Sequence, residues 1–185
     1  MTRAALALPL FAFGAVSALA VEESAAPKDM VMLTVAGAIA NTNRGPLDPK
    51  RDSLFALKGI SFDRAFAFDR AMLLGLKQGT VKAQTAELGQ PATFTGPLLK
   101  EVLATVGAAR AKVSIVAVDG YTGWLSPEDI EAGDWIVALA ADGVPLGLGQ
   151  QGPVWLLNTR KPGEAPSTTQ EGHWVWSKYF IKVGE

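Results

Sequence analysis

The chain has 185 residues, 49 % hydrophobic and 19 % charged, with a formal net charge of −1. That length supports one domain with its own core, and the composition excludes wholesale disorder. The charge balance offers no excess of basic groups, so no nucleic-acid partner is expected. A cysteine count of zero excludes disulfides, cysteine-bound zinc, iron–sulfur clusters and thiol catalysis, and the single histidine, His173, excludes a multi-histidine metal site.

Residues 1–20 read as a secretory signal peptide. Arg3 supplies the positive end, Ala4 to Val16 is an apolar run, and Ala18-Leu19-Ala20 is a small-x-small cleavage site before Val21. The apolar run is too short to span a membrane comfortably, and there is no cysteine to carry a lipid. The expectation is a soluble periplasmic protein with no membrane span after cleavage. Residues 21–29 form a polar leader, and residues 30–185 form the domain.

Met30 to Gly37 alternates β-branched and apolar residues and reads as a strand. Asn41 to Pro49 is dense in turn residues, and the connection as far as Ser61 is long enough to suggest a functional loop. Phe66 to Leu76 reads as a short helix under the core, and Thr80 to Thr85 as a strand. Phe94 to Gly107 reads as a helix with Thr95 as N-cap, Pro97 in the first turn and Gly107 as the C′ residue. Val113 to Val118 is a strand, and Ser126-Pro127-Glu128-Asp129 has the spacing of a helix start. Trp135 to Ala140 is a buried strand, Asp142-Gly143 a turn, and Pro153 to Leu157 another strand. Lys161 to Gly172 reads as a loop, and Trp174 to Val183 as the last strand. No repeat or linker interrupts the pattern. The fold class expected is α+β: one strand-rich domain with short helices.

Four short pieces stand in a telling order. They are Phe94-Thr95-Gly96-Pro97-Leu98-Leu99, Asp119-Gly120-Tyr121, Asp142-Gly143-Val144-Pro145-Leu146 and Gly152-Pro153-Val154. Each alone is common, but their order and separation resemble the sulfite-oxidase-type fold over Met30 to Val183. In the enzymes of that family the fold holds a molybdopterin cofactor and a cysteine thiolate binds its molybdenum, a ligand this chain lacks. The position after Gly-Pro-Val, often arginine in those enzymes, is Trp155. The basic cluster that serves their cofactor phosphate is replaced by Trp174-Val175-Trp176-Ser177.

The pattern is similar to the short, exported, cysteine-free branch of the fold, some of whose members bind pterins and signal to a membrane partner. The resemblance implies a pterin or similar flat heterocycle as ligand, no metal, and a membrane-anchored sensor as partner. The candidate ligand residues are Asn43, Arg44, Asp119, Tyr121, Gln150, Trp155 and Trp174. Trp155 offers either a stacking surface for a flat ring or core packing. Asp119 offers a carboxylate to an amino-pyrimidine edge, or else starts its own turn. Tyr121 combines a ring face with a hydroxyl. Arg44 is a bidentate clamp or a solvated loop residue, and Gln150 an amide reader beside Gln151. Trp174 and Trp176 share one face of a strand, with one of them lining a site or both packing an edge. No catalytic or metal-ligating residue stands out, and no nucleophile-elbow motif accompanies His173. Two rival readings are a molybdopterin oxidoreductase that holds its metal without cysteine, and an interaction domain whose site is filled by side chains.

Overall fold

The computed structural model describes residues 24–84, 90–158 and 174–184. Its elements run β1 (Val31–Gly37), α1 (Ser53–Leu57), β2 (Ala65–Asp69), α2 (Arg70–Leu74), β3 (Gln78–Ala83), β4 (Ala92–Pro97), α3 (Leu99–Thr105), β5 (Val113–Ala117), β6 (Thr122–Leu125), α4 (Pro127–Ala132), β7 (Trp135–Ala138), β8 (Ala140–Ala141), β9 (Val144–Pro145), β10 (Trp155–Asn158) and β11 (Lys178–Val183). The expected signal peptide, the start of the expected polar leader, the loop expected over Lys161 to Gly172, and His173 lie outside the described residues.

Three sheets form a strand-rich α+β domain. The largest has the order β2-β1-β11-β5-β6, a second pairs β10 with β7, and the third has the order β3-β4-β8-β9. β1 and β11 run parallel while β1 and β2, and β11 and β5, run antiparallel. Parallel neighbours need a long crossover. Here the crossover is nearly the whole domain, so the first and last strands lie side by side at its centre. Gly37 makes their approach possible: its φ is +99°, and a Cβ there would run into the Val183 carbonyl.

Alternation along the strands separates two apolar clusters. Val35, Ile115 and Ile181 join Phe94, Ile136 and Leu156 in the main core. Ala36, Ala65 and Phe180 face the other way, where Phe55, Ile60, Phe62 and Tyr179 pack against them. The main core is tight enough for β4 to touch β7 at the backbone, since a Cβ on Gly96 would clash with the Val137 carbonyl.

The helix expected over Phe66 to Leu76 is a strand followed by a helix. All five residues of β2 are buried, so its run carries no alternation to read. Asp69 makes the change of conformation. Its carboxylate caps α2 by accepting from the Met72 N–H at 2.9 Å, and also accepts from Lys28 N–H at 2.8 Å. These backbone donors, Met72 first, hold its pKa below the ordinary carboxylate value.

The helix expected over Phe94 to Gly107 is likewise divided. Thr95 is not an N-cap: its carbonyl accepts from Leu139 N–H at 2.8 Å, and it pairs with Thr80 inside β4. Leu98 is the cap residue of α3, and Gly107, with φ +59°, follows the helix end as expected. The reason is the period, because the buried residues of β4 alternate before the helical spacing of Leu99 and Val102 begins. The last strand is shorter than expected, starting only at Lys178 after the positive φ of Ser177. Thr122–Leu125, not recognised as a strand, pairs with β5. Ser126 opens α4 with a complete capping box to Asp129. Among the described residues, no helix is long and apolar enough to cross a membrane.

Candidate functional site

β5 delivers the Asp-Gly-Tyr turn to the edge of the large sheet. Asp119 Oδ1 accepts from the Tyr121 N–H at 2.8 Å, and Ala117 N–H closes the turn onto the Tyr121 carbonyl at 2.9 Å. Asp119 therefore starts its own turn through one oxygen. Among the described residues, its other oxygen, Oδ2, makes no hydrogen bond. Lys58, just beyond α1, donates from Nζ to the Asp119 carbonyl at 2.9 Å.

The facing wall is the segment that leads into β11. Leu156 N–H bonds the Val175 carbonyl at 2.9 Å, Ser177 Oγ donates to the Gly152 carbonyl at 2.7 Å, and Val118 N–H bonds the Ser177 carbonyl at 3.1 Å. Trp174 is buried, and its Nε1 donates to Asn158 Oδ1 at 2.8 Å. Together these contacts enclose a cavity of about 220 Å³ lined by Ala117, Asp119, Tyr121, Trp174 and Trp176. Tyr121 and Trp176 are half-exposed. The arrangement offers aromatic faces beside a free carboxylate oxygen.

Three of the expected ligand residues, Asp119, Tyr121 and Trp174, thus meet at one cavity. The other four do not line it. Trp155 is core: it is buried in β10 and its ring meets Phe94 edge-on. The stacking role is corrected for that reason, since no ring face is open. Asn43 spends its amide on the backbone. Its Nδ2 donates to the Ala67 carbonyl at 2.9 Å and to the Ala25 carbonyl at 3.1 Å, while Oδ1 accepts from Ala67 N–H at 2.7 Å. Arg44 is bonded to Asp52 at 2.6 Å, with its guanidinium 4.9 Å from the centre of the Phe62 ring. Asn43 thus has its amide donors engaged, and Arg44 gives one of its N–H donors to Asp52. The connection they occupy is pinned to β2 rather than open. Gln150 lies exposed in a turn, donating its N–H to the Gly147 carbonyl at 3.1 Å.

Sequence reasoning passed over Lys58, which lies 61 residues from its acceptor. No local pattern announces such a contact. It also passed over Lys178, whose backbone is the register partner of Ala117. The Lys178 side chain is fully buried, Nζ makes no hydrogen bond, and burial holds its pKa well below the usual lysine value. Trp155 Nε1 is also buried without a partner.

The residues present do not fit a molybdopterin. The chain has no thiolate to give, and no group of three metal-capable side chains exists among the described residues. Among the described residues, no cationic side chain lines the cavity to receive a phosphate. No chemical step is therefore assigned through that group.

No family model and no curated protein matches the chain. Solved structures do. One is the sulfane dehydrogenase SoxCD from Paracoccus pantotrophus, 15 % identical with a TM-score of 0.54, over 83 % of this chain and 38 % of that one. The chain spans well under half the length of that neighbour, and the likeness is one of fold alone.

Proposed function

We propose that the chain is a periplasmic binding protein of the sulfite-oxidase-type fold, which takes a pterin or similar flat heterocycle without a metal. One observation carries the reading: Asp119 and Tyr121, from one turn, and Trp174, from far along the chain, line a single cavity with Trp176. The heterocycle stacks on the exposed ring of Tyr121 or Trp176. Its amino-pyrimidine edge donates to Asp119 Oδ2. A ligand without that edge leaves a polar group unpaired on binding, which supplies the selectivity. Occupancy is then passed to a membrane-anchored sensor.

Titration with tetrahydrobiopterin, followed by tryptophan fluorescence, tests the site. Saturable quenching is expected. Tyr121→Ala and Asp119→Asn should each weaken it by roughly tenfold, in line with the loss of one stacking contact or one charge-assisted hydrogen bond. Absence of saturation, or variants that bind like the parent, overturns the reading. Export is tested separately by intact mass: the mature chain should begin at Val21.

One observation favours a second reading. The cavity, at about 220 Å³, is smaller than the roughly 300–1,000 Å³ common for ligand pockets. On that reading the aromatic cluster is part of a protein-interaction surface and holds no small molecule. Mass spectrometry of material released on denaturation separates the two.

A further inference from the structure

The opposite face of the large sheet carries a larger cavity, about 440 Å³, whose lining takes in Gly59 to Ser61 at the end of the long connection after β1. Its floor follows from register. Ala65, Ala36, Lys182, Ser114 and Trp124 form one lateral row across β2, β1, β11, β5 and β6. Three of those five positions carry small side chains, so the floor is low where a typical strand would present bulk. The roof is the segment from Gly59 to Arg64. Phe62 stacks on Phe180 with ring centres 6.2 Å apart, which ties roof to floor.

The charges at this cavity are unspent. Arg64 and Lys182 both line it, both are exposed, and among the described residues neither makes an ion pair or a side-chain hydrogen bond. Arg44, by contrast, is neutralised by Asp52. Asp63 is the one carboxylate in the lining, so Arg64 and Lys182 leave an excess of one positive charge. That excess is opposite in sign to the whole chain, at −1. Ala65, the neighbour of Arg64, and Lys182 are separated by one strand, which places their backbones about 10 Å apart. Two long cationic side chains therefore reach over an apolar floor from different strands.

We propose that this cavity is a second binding site, for a small organic anion with a flat apolar body. The body rests between Phe62, Phe180 and Val116, and the acidic group lies between Arg64 and Lys182. The volume falls within the usual range for small-molecule pockets. A flat body suits the gap between sheet floor and loop roof, and a planar guanidinium suits a carboxylate or sulfonate. Ser61 and Ser114 supply hydroxyls for the remaining oxygens. The site is independent of the pterin reading and stands whether or not that reading does.

Backbone amide chemical shifts, followed by NMR on the full chain, provide the test, with naphthalenesulfonate as probe and naphthalenemethanol as its neutral counterpart. Saturable shifts are expected at Gly59 to Arg64, Ser114 and Lys182, with the neutral probe binding roughly tenfold more weakly for want of the charge-assisted contacts. The double variant R64A/K182A, both exposed positions, should keep the parent spectrum elsewhere and lose affinity by a similar factor. Equal binding of both probes, an unchanged affinity in the double variant, or no saturable shift at these residues overturns the proposal. Shifts confined to Asp119, Tyr121 and Trp174 also overturn it, and report on the other cavity instead.

Discussion

The indole of Trp155 meets the ring of Phe94 edge-on, with centroids 5.1 Å apart and planes at 79°. Phe94 is fully buried in β4, so this contact joins the two-stranded sheet to the sheet beside it. Trp155 occupies the position where the family resemblance leads one to seek a cofactor contact. Its burial makes it a packing residue. Trp155→Ala should therefore lower stability by about 3–5 kcal/mol, the cost of truncating a large core side chain. A urea midpoint measures this. Pterin affinity in the folded fraction should be unchanged, and a lost affinity with an intact midpoint would return Trp155 to the ligand set.

Lys178 makes the clearest pH prediction. Its folded pKa is depressed below the unfolded value of 10.5 by burial alone. Above its folded pKa the native state leaves the amine neutral while the unfolded state binds a proton. Stability then rises with pH up to about the unfolded value, and falls as pH drops toward the folded one. One such proton gives a slope of at most about 1.4 kcal/mol per pH unit. Lys178→Met, which keeps the length and removes the amine, should raise stability at neutral pH and flatten this slope between neutrality and pH 10. Chemical denaturation at a series of pH values reads both, and a less stable variant would show that the amine is satisfied.

Asp69 acts with the same sign in the acid range. Its folded pKa is depressed from 3.8 by backbone donors, so its contribution is present above that value and lost as pH falls through the folded pKa. Asp69→Asn should therefore be destabilised at neutral pH and show a shallower loss of stability below pH 4. Acid titration followed by circular dichroism on parent and variant measures the difference. Parallel acid limbs would remove Asp69 from the account.

Asn43 tests whether the connection after β1 is structural. Asn43→Ala would leave the Ala67 N–H and carbonyl without their amide partner beside a buried strand. Unmade buried hydrogen bonds cost about 1–3 kcal/mol each, so a loss of about 2–4 kcal/mol is expected. Thermal unfolding measures it. Stability at the parent level would return Asn43 to the ligand set.

Several features were legible because their causes are local. Ser126 and Asp129 form their capping box from neighbours three apart, and the Asp142-Gly143 turn follows from two residues tolerant of positive φ. The strands β1, β5 and β7 are short apolar runs between turn signals. The Asp119 turn was readable for the same reason, and it carried Tyr121 with it to a sheet edge. Thr95 and Phe66 were misread because helix and buried strand share an apolar composition, and only pairing with β3 and β1 separates them.

Sequence by itself determined the α+β character, the caps and turns, the lack of any thiolate, and the residue types now found at the Asp119 cavity. Tertiary structure alone decided which of those residues meet. Trp155 and Trp174 are both tryptophans next to a turn or strand. One is enclosed in β10 against Phe94, and the other, ahead of β11, bonds Asn158 at a cavity wall, because the two segments pack against different neighbours. Arg44 and Arg64 are both loop arginines, yet Asp52 pairs with one and no described residue pairs with the other. The cavity above Ala36, Lys182 and Ser114 has no motif at all. It exists because the parallel pairing of β1 with β11 sets residues from the two ends of the domain in one row, a register that no local interaction specifies.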